Sequence, residues 1–208
     1  PYQKIDELPF DFVRRRLSVV MENQDDEKLI ICKGAVEEVS SICTKYELHN
    51  GLYEITEKDL QKIMLINKEF SEDGFRVIAV AYKKIVDRRV RYSVKDEKDM
   101  IFLGLVTFFD PPKETAAGAI AELQKHGVVI KVLTGDNELV TKKICKEVGL
   151  NVEGILLGNQ IETMSDEELS KIVDQTTIFA KLSPDMKKKT IQALQGHKHV
   201  VGFLGDGV

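Results

Sequence analysis

The chain has 208 residues, 43% hydrophobic and 31% charged, which suits one large or two modest water-soluble domains with real cores. The formal net charge is −4, and residues 1–110 carry 18 basic and 21 acidic side chains against 12 and 13 in the rest, so neither half has a nucleic-acid footprint. No apolar run approaches the roughly 20 residues of a bilayer span, and no signal peptide opens the chain. The three cysteines, Cys32, Cys43 and Cys145, are widely spaced and odd in number. They form neither a disulfide framework nor a metal pattern, which points to a reducing, cytosolic compartment.

In chain order, residues 8–22 end as a strand, 24–27 form a polar turn and 28–32 a second strand, giving a hairpin. Lys33-Gly34-Ala35 breaks it and opens a helix expected to run to about Tyr46. Asn50-Gly51 is a turn signal. Thr56 caps a helix with Leu60, Ile63, Met64, Ile66 and Phe70 at helical spacing, closed by Gly74. Residues 75–81 read as a strand, 87–98 as a charged loop, and 99–110 as containing a long strand. This half suggests an α+β domain with a mainly antiparallel sheet.

Asp110-Pro111-Pro112 then interrupts as a stiff hinge, since a Pro-Pro pair cannot sit inside a sheet. Beyond it the pattern alternates. Helix 113–126 ends at Gly127, strand 128–133 leads to Thr134-Gly135-Asp136, and helix 138–148 ends at Gly149. A weak strand covers 154–157. Ser165 and Glu168 form a capping box for a helix to about Asp174. Strand 177–180 is followed by Ser183-Pro184 and helix 185–195, and a last strand is expected over 199–204. Alternation of this kind implies a parallel, doubly wound sheet, so the chain as a whole is α/β.

Two apolar runs end in carboxylates, at Asp136 and at Asp206 in Gly205-Asp206-Gly207. A strand end that turns into a helix suits a phosphate: glycine lets the backbone approach, and the helix N-terminus favours negative charge. Phosphoryl transfer needs a cation for the moving group and a carboxylate for magnesium, which makes Thr134, Asp136, Lys187 and Asp206 candidates. The alternatives are an ordinary βα turn for Asp136 and a solvated face for Lys187, one of three adjacent lysines. The four histidines are scattered, with His197 and His199 in a loop, and no His or Cys cluster suggests zinc. In the first half, Phe10, Arg14 to Arg16, Lys33-Gly34-Ala35 and Arg76 could hold a purine by stacking and cation–π contact, with arginine on the phosphates. Each has a structural alternative: Phe10 as core, the arginines as a solvated edge, Gly34 as a simple turn.

Taken in order, these motifs resemble one family, the P-type cation-transporting ATPases. The resemblance rests on Pro9-Phe10-Asp11-Phe12 with Arg14-Arg15-Arg16, Lys33-Gly34-Ala35, Gly74-Phe75-Arg76-Val77, Asp110-Pro111-Pro112-Lys113, Thr134-Gly135-Asp136, Phe179-Ala180-Lys181 with Pro184 and Lys187, and Gly205-Asp206-Gly207-Val208. The strings around Asp110 and Thr134 are most similar to the bacterial magnesium-importing branch. The resemblance implies a nucleotide-binding domain over 1–110. It also implies part of a haloacid-dehalogenase-like phosphorylation domain over 111–208 that lacks its nucleophile strand.

On the same ground, Phe10, Arg15, Lys33, Gly34 and Arg76 would contact ATP, Thr134, Gly135, Asp136 and Lys187 would handle the phosphoryl group, and Asp206 would bind Mg2+. The parent would be a bacterial plasma-membrane ATPase working through an aspartyl-phosphate. Its partners would be the transported cation, the actuator domain and the membrane helices, with no nucleic acid. The nucleophile motif Asp-Lys-Thr-Gly-Thr is absent from this sequence, so the chain reads as a cytosolic piece of something longer that is not itself phosphorylated. The gap left by the nucleophile strand is expected to be filled by a partner, to close directly, or to stay poorly ordered. Two other classes stay open: a haloacid-dehalogenase-type phosphatase with a cap domain, and a non-catalytic nucleotide-binding module.

Overall fold

The computed structural model describes residues 1–86, 89 and 91–205. They form two compact units, Pro1–Phe70 with Val77–Phe108, and Ser71–Arg76 with Phe109 onward.

The first unit is built on a seven-stranded sheet in the order β1-β2-β3-β6-β7-β4-β5. Its strands are β1 (Gln3–Asp11), β2 (Arg16–Glu22), β3 (Lys28–Gly34), β4 (Cys43–Leu48), β5 (Gly51–Glu54), β6 (Phe75–Ile85) and β7 (Met100–Phe109). The recorded pairings are antiparallel except β4 with β7, which is parallel. Alternation along β2 and β3 sends Val20, Ile30 and Cys32 to one face, where they meet Ala79, Ala81, Met100 and Phe102 in one core. Two helices complete this unit's core, α1 (Val36–Ser40) through Val36 and Val39, and α2 (Glu57–Glu72) through Ile63 and Met64.

Two expectations are corrected here. The helix opened by Lys33-Gly34-Ala35 stops at Ser40 rather than near Tyr46. Residues 43–48 are β4 instead, because Thr44 and Tyr46 suit a pleated surface and Tyr46 stacks on Tyr53 of β5 at 5.4 Å. The sheet also begins earlier than the hydrophobic pattern suggests. β1 contains acids and Pro9, which an edge strand tolerates because one row of its N–H groups faces solvent. The Asn50-Gly51 signal is met: His49 and Asn50 both have positive φ, as a two-residue hairpin loop of the primed kind requires.

The second unit holds a three-stranded parallel sheet, order β8-β10-β9, from β8 (Val132–Leu133), β9 (Ile155–Leu157) and β10 (Ile178–Ala180). Around it lie α3 (Ala116–Lys125), α4 (Glu138–Glu147), α5 (Gly158–Thr163), α6 (Asp166–Val173) and α7 (Pro184–Gly196). The capping box at Ser165 and Glu168 and the proline in the first turn of α7 are both present. β10 is the central strand and is wholly buried, which is why its three residues carry no polar alternation.

Two strands fall short. The run 128–133 pairs only at Val132 and Leu133, and 199–204 forms no strand, with Val200 and Leu204 fully exposed. Among the described residues β8 has no second neighbour. A strand needs a ladder partner for its backbone groups, and among the described residues neither 128–131 nor 199–204 has one.

Candidate functional site

The β1–β2 connection and the end of β3 meet at one end of the first sheet. The Asp11 carboxylate accepts the amides of Val13 and Arg14, and the Arg15 amide returns to the Asp11 carbonyl at 2.7 Å. These bonds, the Arg14 amide first, hold the Asp11 carboxyl below its ordinary pKa. The Ala35 amide bonds to the Arg15 carbonyl at 3.0 Å, so the Lys33-Gly34-Ala35 segment is laid directly against the hairpin tip. Gly34 is required by this contact: a Cβ there would lie 2.4 Å from the Arg15 carbonyl oxygen and 2.6 Å from Arg16 Cα.

The register explains how Phe10 joins them. Leu8 pairs with Ser18 and Asp11 with Arg16, so Pro9 and Phe10 together oppose Leu17 alone, a β-bulge. Leu17 in turn pairs with Lys33, and Lys33 with Val80. Phe10 and Lys33 therefore flank Leu17 on the face opposite the core, two strand spacings apart, roughly 10 Å. Phe10 is 49% exposed and meets Phe12 edge-on at 5.2 Å, so it is not a core residue.

The three arginines separate into two kinds. Glu97, whose side chain has no solvent access, receives Arg14 Nη1 at 2.7 Å, Arg16 Nε at 2.9 Å and Ser18 Oγ at 2.7 Å. Burial alone would raise the Glu97 pKa; the bonds from Ser18, Arg16 and Arg14, with the Arg14 charge, outweigh it and hold the carboxyl below its usual value. Arg14 also donates to the Pro9 carbonyl and Arg16 to that of Glu38. These two arginines are structural. Arg15, at φ 49°, and Lys33 pair with no carboxylate among the described residues. Glu97 was hidden in the sequence, in a charged stretch that reads as a loop; its signal is only that two close arginines need a counter-ion.

A concavity of about 1000 Å³ lies at the other end of these strands and is lined by Glu22, Asp26, Glu27, Lys28, Tyr82 and Lys84, among others. Its three acids suit a phosphate ligand less well than the hairpin end does.

In the second unit, β8 ends at Leu133 and is followed by Thr134, whose amide bonds to the Phe179 carbonyl. Thr134 Oγ1 accepts from the Asp136 amide at 3.0 Å and donates to Asp136 Oδ2 at 3.1 Å. The Leu182 and Lys181 amides reach the carbonyls of Thr134 and Asp136, so the Thr134-Gly135-Asp136 turn is clamped to the segment entering α7. The cap of α4 is Asn137, not Asp136: Asn137 Oδ1 accepts from the Leu139 amide at 2.7 Å. Asp136 instead takes Arg76 Nη2 at 2.8 Å, and Arg76 lies 3.5 Å from Asp110. Arg76 thus groups by contact with the second unit, while Phe10, Arg15, Lys33 and Gly34 group in the first.

Of the three adjacent lysines, Lys187 is half-buried and Lys188 exposed, while Lys189 bonds to the Met164 carbonyl at 2.7 Å. Asp206 lies outside the described residues. His197 and His199 lie in the loop after α7, as expected, and there both meet Asp174.

A framework of this kind, an antiparallel sheet with a basic and aromatic end, is matched by a known family model. Residues 1–115 match "P-type ATPase, cytoplasmic domain N", and the chain belongs to the P-type ATPase family. Over its whole length it is 44% identical to the magnesium-transporting ATPase, P-type 1, of Escherichia coli strain K12. Over 99% of it the identity to the protein of that name from Salmonella typhimurium is 45%. It is 31% identical over its full length to calcium-transporting ATPase 1 of Lactococcus lactis. The chain spans 23–25% of the length of these relatives. Among the described residues no helix is long and apolar enough to cross a membrane.

Proposed function

We propose that the first unit binds the adenine nucleotide of a P-type ATPase at the hairpin end of its sheet. Phe10 offers an aromatic face to the base, Lys33 a cation across the same sheet face, and Arg15 a second cation toward the phosphates. Gly34 lets strand and hairpin approach closely enough to form the site. The observation that carries this reading is the division of the arginines. Arg14 and Arg16 are neutralised by Glu97, whereas Arg15 and Lys33 are left to a ligand beside an exposed aromatic ring.

The parent is a cation pump, with magnesium as the transported ion by similarity to the 44–45% identical relatives. Residues 1–110 act as the nucleotide-binding domain and 111–208 as part of a haloacid-dehalogenase-like phosphorylation domain. There the clamped Thr134-Gly135 turn would receive the phosphoryl group, with Lys187 as its counter-charge, and Arg76 would assist after release from Asp136. Magnesium bound with ATP would supply charge neutralisation of the phosphates. Its donors would be oxygens, among them the Asp206 carboxylate. Partners are the actuator domain, the membrane helices of a bacterial plasma-membrane protein and the transported cation. The chain itself, lacking the Asp-Lys-Thr-Gly-Thr motif, binds ATP without becoming phosphorylated.

The test is ATP titration of the chain against Phe10→Ala, Lys33→Ala and Arg15→Ala. Each should weaken binding, and unchanged affinity in the first two would sink the site. Acid-stable label from ATP on the purified chain would refute its inability to form a phosphoenzyme.

A further inference from the structure

In the second unit, the C-terminal ends of α6 and α7 lie side by side. Asp174 is the residue that ends α6, and His197 the one that ends α7. Lys198 then adopts φ 64°, a turn that brings His199 back onto the same carboxylate. His197 Nδ1 lies 2.6 Å from Asp174 Oδ2 and His199 Nε2 lies 3.0 Å from Asp174 Oδ1. The other nitrogen of His197, Nε2, is 2.5 Å from Ser170 Oγ, one turn back on α6. The backbone beneath is held by Lys131, whose ammonium donates to the carbonyls of Asp174 and Thr176 at 2.6 and 2.8 Å.

We infer that Asp174, His197 and His199 form a binding site for a first-row transition ion of the Zn2+ type, a clasp that ties α6 to α7. Two imidazoles and one carboxylate are a donor set for zinc with a fourth position left to water, and are poorly suited to magnesium, which demands oxygen ligands in an octahedron. One ligand atom from each residue already lies within 4.8 Å of the others. A tetrahedral zinc site brings such atoms to roughly 3.3 Å, which rotation of three exposed side chains supplies. Both helices present their negative dipole ends here, which favours a cation, and the Asp174 carboxylate meets both imidazoles.

The proton count closes. Neutral His197 carries one ring hydrogen, which must sit on Nε2 when zinc takes Nδ1; if it begins on Nδ1, shared with Asp174, it moves to Nε2 through solvent with no net proton lost. Nε2–H then donates to Ser170 Oγ, the outer hydrogen bond that fixes the ring of a zinc-bound histidine. The site uses none of the residues assigned to nucleotide or phosphoryl binding, so it stands or falls separately from the proposed function.

The experiment is Zn2+ titration of the whole chain by calorimetry and thermal shift, in the presence of millimolar Mg2+, with Co2+ substitution read by its visible spectrum. Saturable micromolar binding is expected, with a raised Tm, a tetrahedral cobalt spectrum and no competition from Mg2+. Asp174→Asn, His197→Gln and His199→Gln should each weaken binding by at least about tenfold, and Ser170→Ala by about tenfold through the outer hydrogen bond. His49→Gln should leave it unchanged. Affinity should fall as pH is lowered, since zinc competes with protons for its ligands. Absence of saturable binding, equal displacement by Mg2+, or binding indifferent to His199→Gln and Asp174→Asn would overturn the inference.

Discussion

Replacing Glu97 by Gln removes one charge while keeping the shape of the side chain. Arg14 and Arg16, 18% and 12% exposed, would then face each other across a neutral amide. Breaking a buried ion pair from one side costs about 3–5 kcal/mol because the remaining charge is stranded. Partial solvent access lets water take up some of that charge, so the lower end, about 3 kcal/mol, is the expected loss. The pH dependence has a definite sign. The folded-state pKa of Glu97 is depressed, so its stabilisation is present above the ordinary carboxyl pKa of about 4.3 and is lost as pH falls through the folded value. The gap between wild type and Glu97→Gln should therefore be constant near neutral pH and close in acid. The two units need not melt together, so stability is best read from urea unfolding with hydrogen exchange at β2 and β3 amides. An unchanged midpoint, or a gap that persists once the carboxyl is protonated, would refute the account of Glu97 as the counter-ion.

Arg14→Ala should lower stability with little direct effect on ATP, while Arg15→Ala should do the reverse; comparing urea midpoints with ATP affinities separates the two roles. Gly34→Ala drives a Cβ into the Arg15 carbonyl and should cost about 1–3 kcal/mol together with nucleotide affinity; a fully stable, ATP-binding variant would contradict the close approach. Asn137→Ala removes the α4 cap and should cost about 1 kcal/mol, seen as faster amide exchange at Leu139. Burial pushes the Cys43 thiol up to about 12 and also raises Cys32 and Cys145. All three should resist thiol reagents in native protein and react in urea; rapid native labelling of any one would be inconsistent with this burial.

Much of the fold was readable because periodicity and punctuation agreed. Asn50-Gly51, the Ser165–Glu168 box and Ser183-Pro184 mark their elements within a residue or two. The misreadings are all tertiary. Residues 43–48 resemble the continuation of a helix until β7 and β5 offer them partners, and β1 is masked by its acids and proline because an edge strand needs little apolar sequence. Residues 199–204 have a strand's composition but no neighbour. The site was legible as a set of residue types, not as an arrangement. Phe10, Arg15, Lys33 and Gly34 could be nominated, but which arginine is free depends on Glu97, some 80 residues away and silent on its own. Likewise Asp174 and the two histidines are separated by more than 20 residues and meet only because α6 and α7 pack side by side.

The strand order has a kinetic consequence. β1, β2 and β3 follow one another as a meander, whereas β6 must travel back over more than 40 residues to join β3, and Glu97 arrives later still. Short loops close before long ones, so the meander should nucleate and the Glu97 contact should form after the rate-limiting barrier. In a chevron experiment Glu97→Gln should then raise the unfolding rate and leave the refolding limb nearly in place. The carboxylate acts as a brake on escape from the native state, and it contributes little to the search that reaches it.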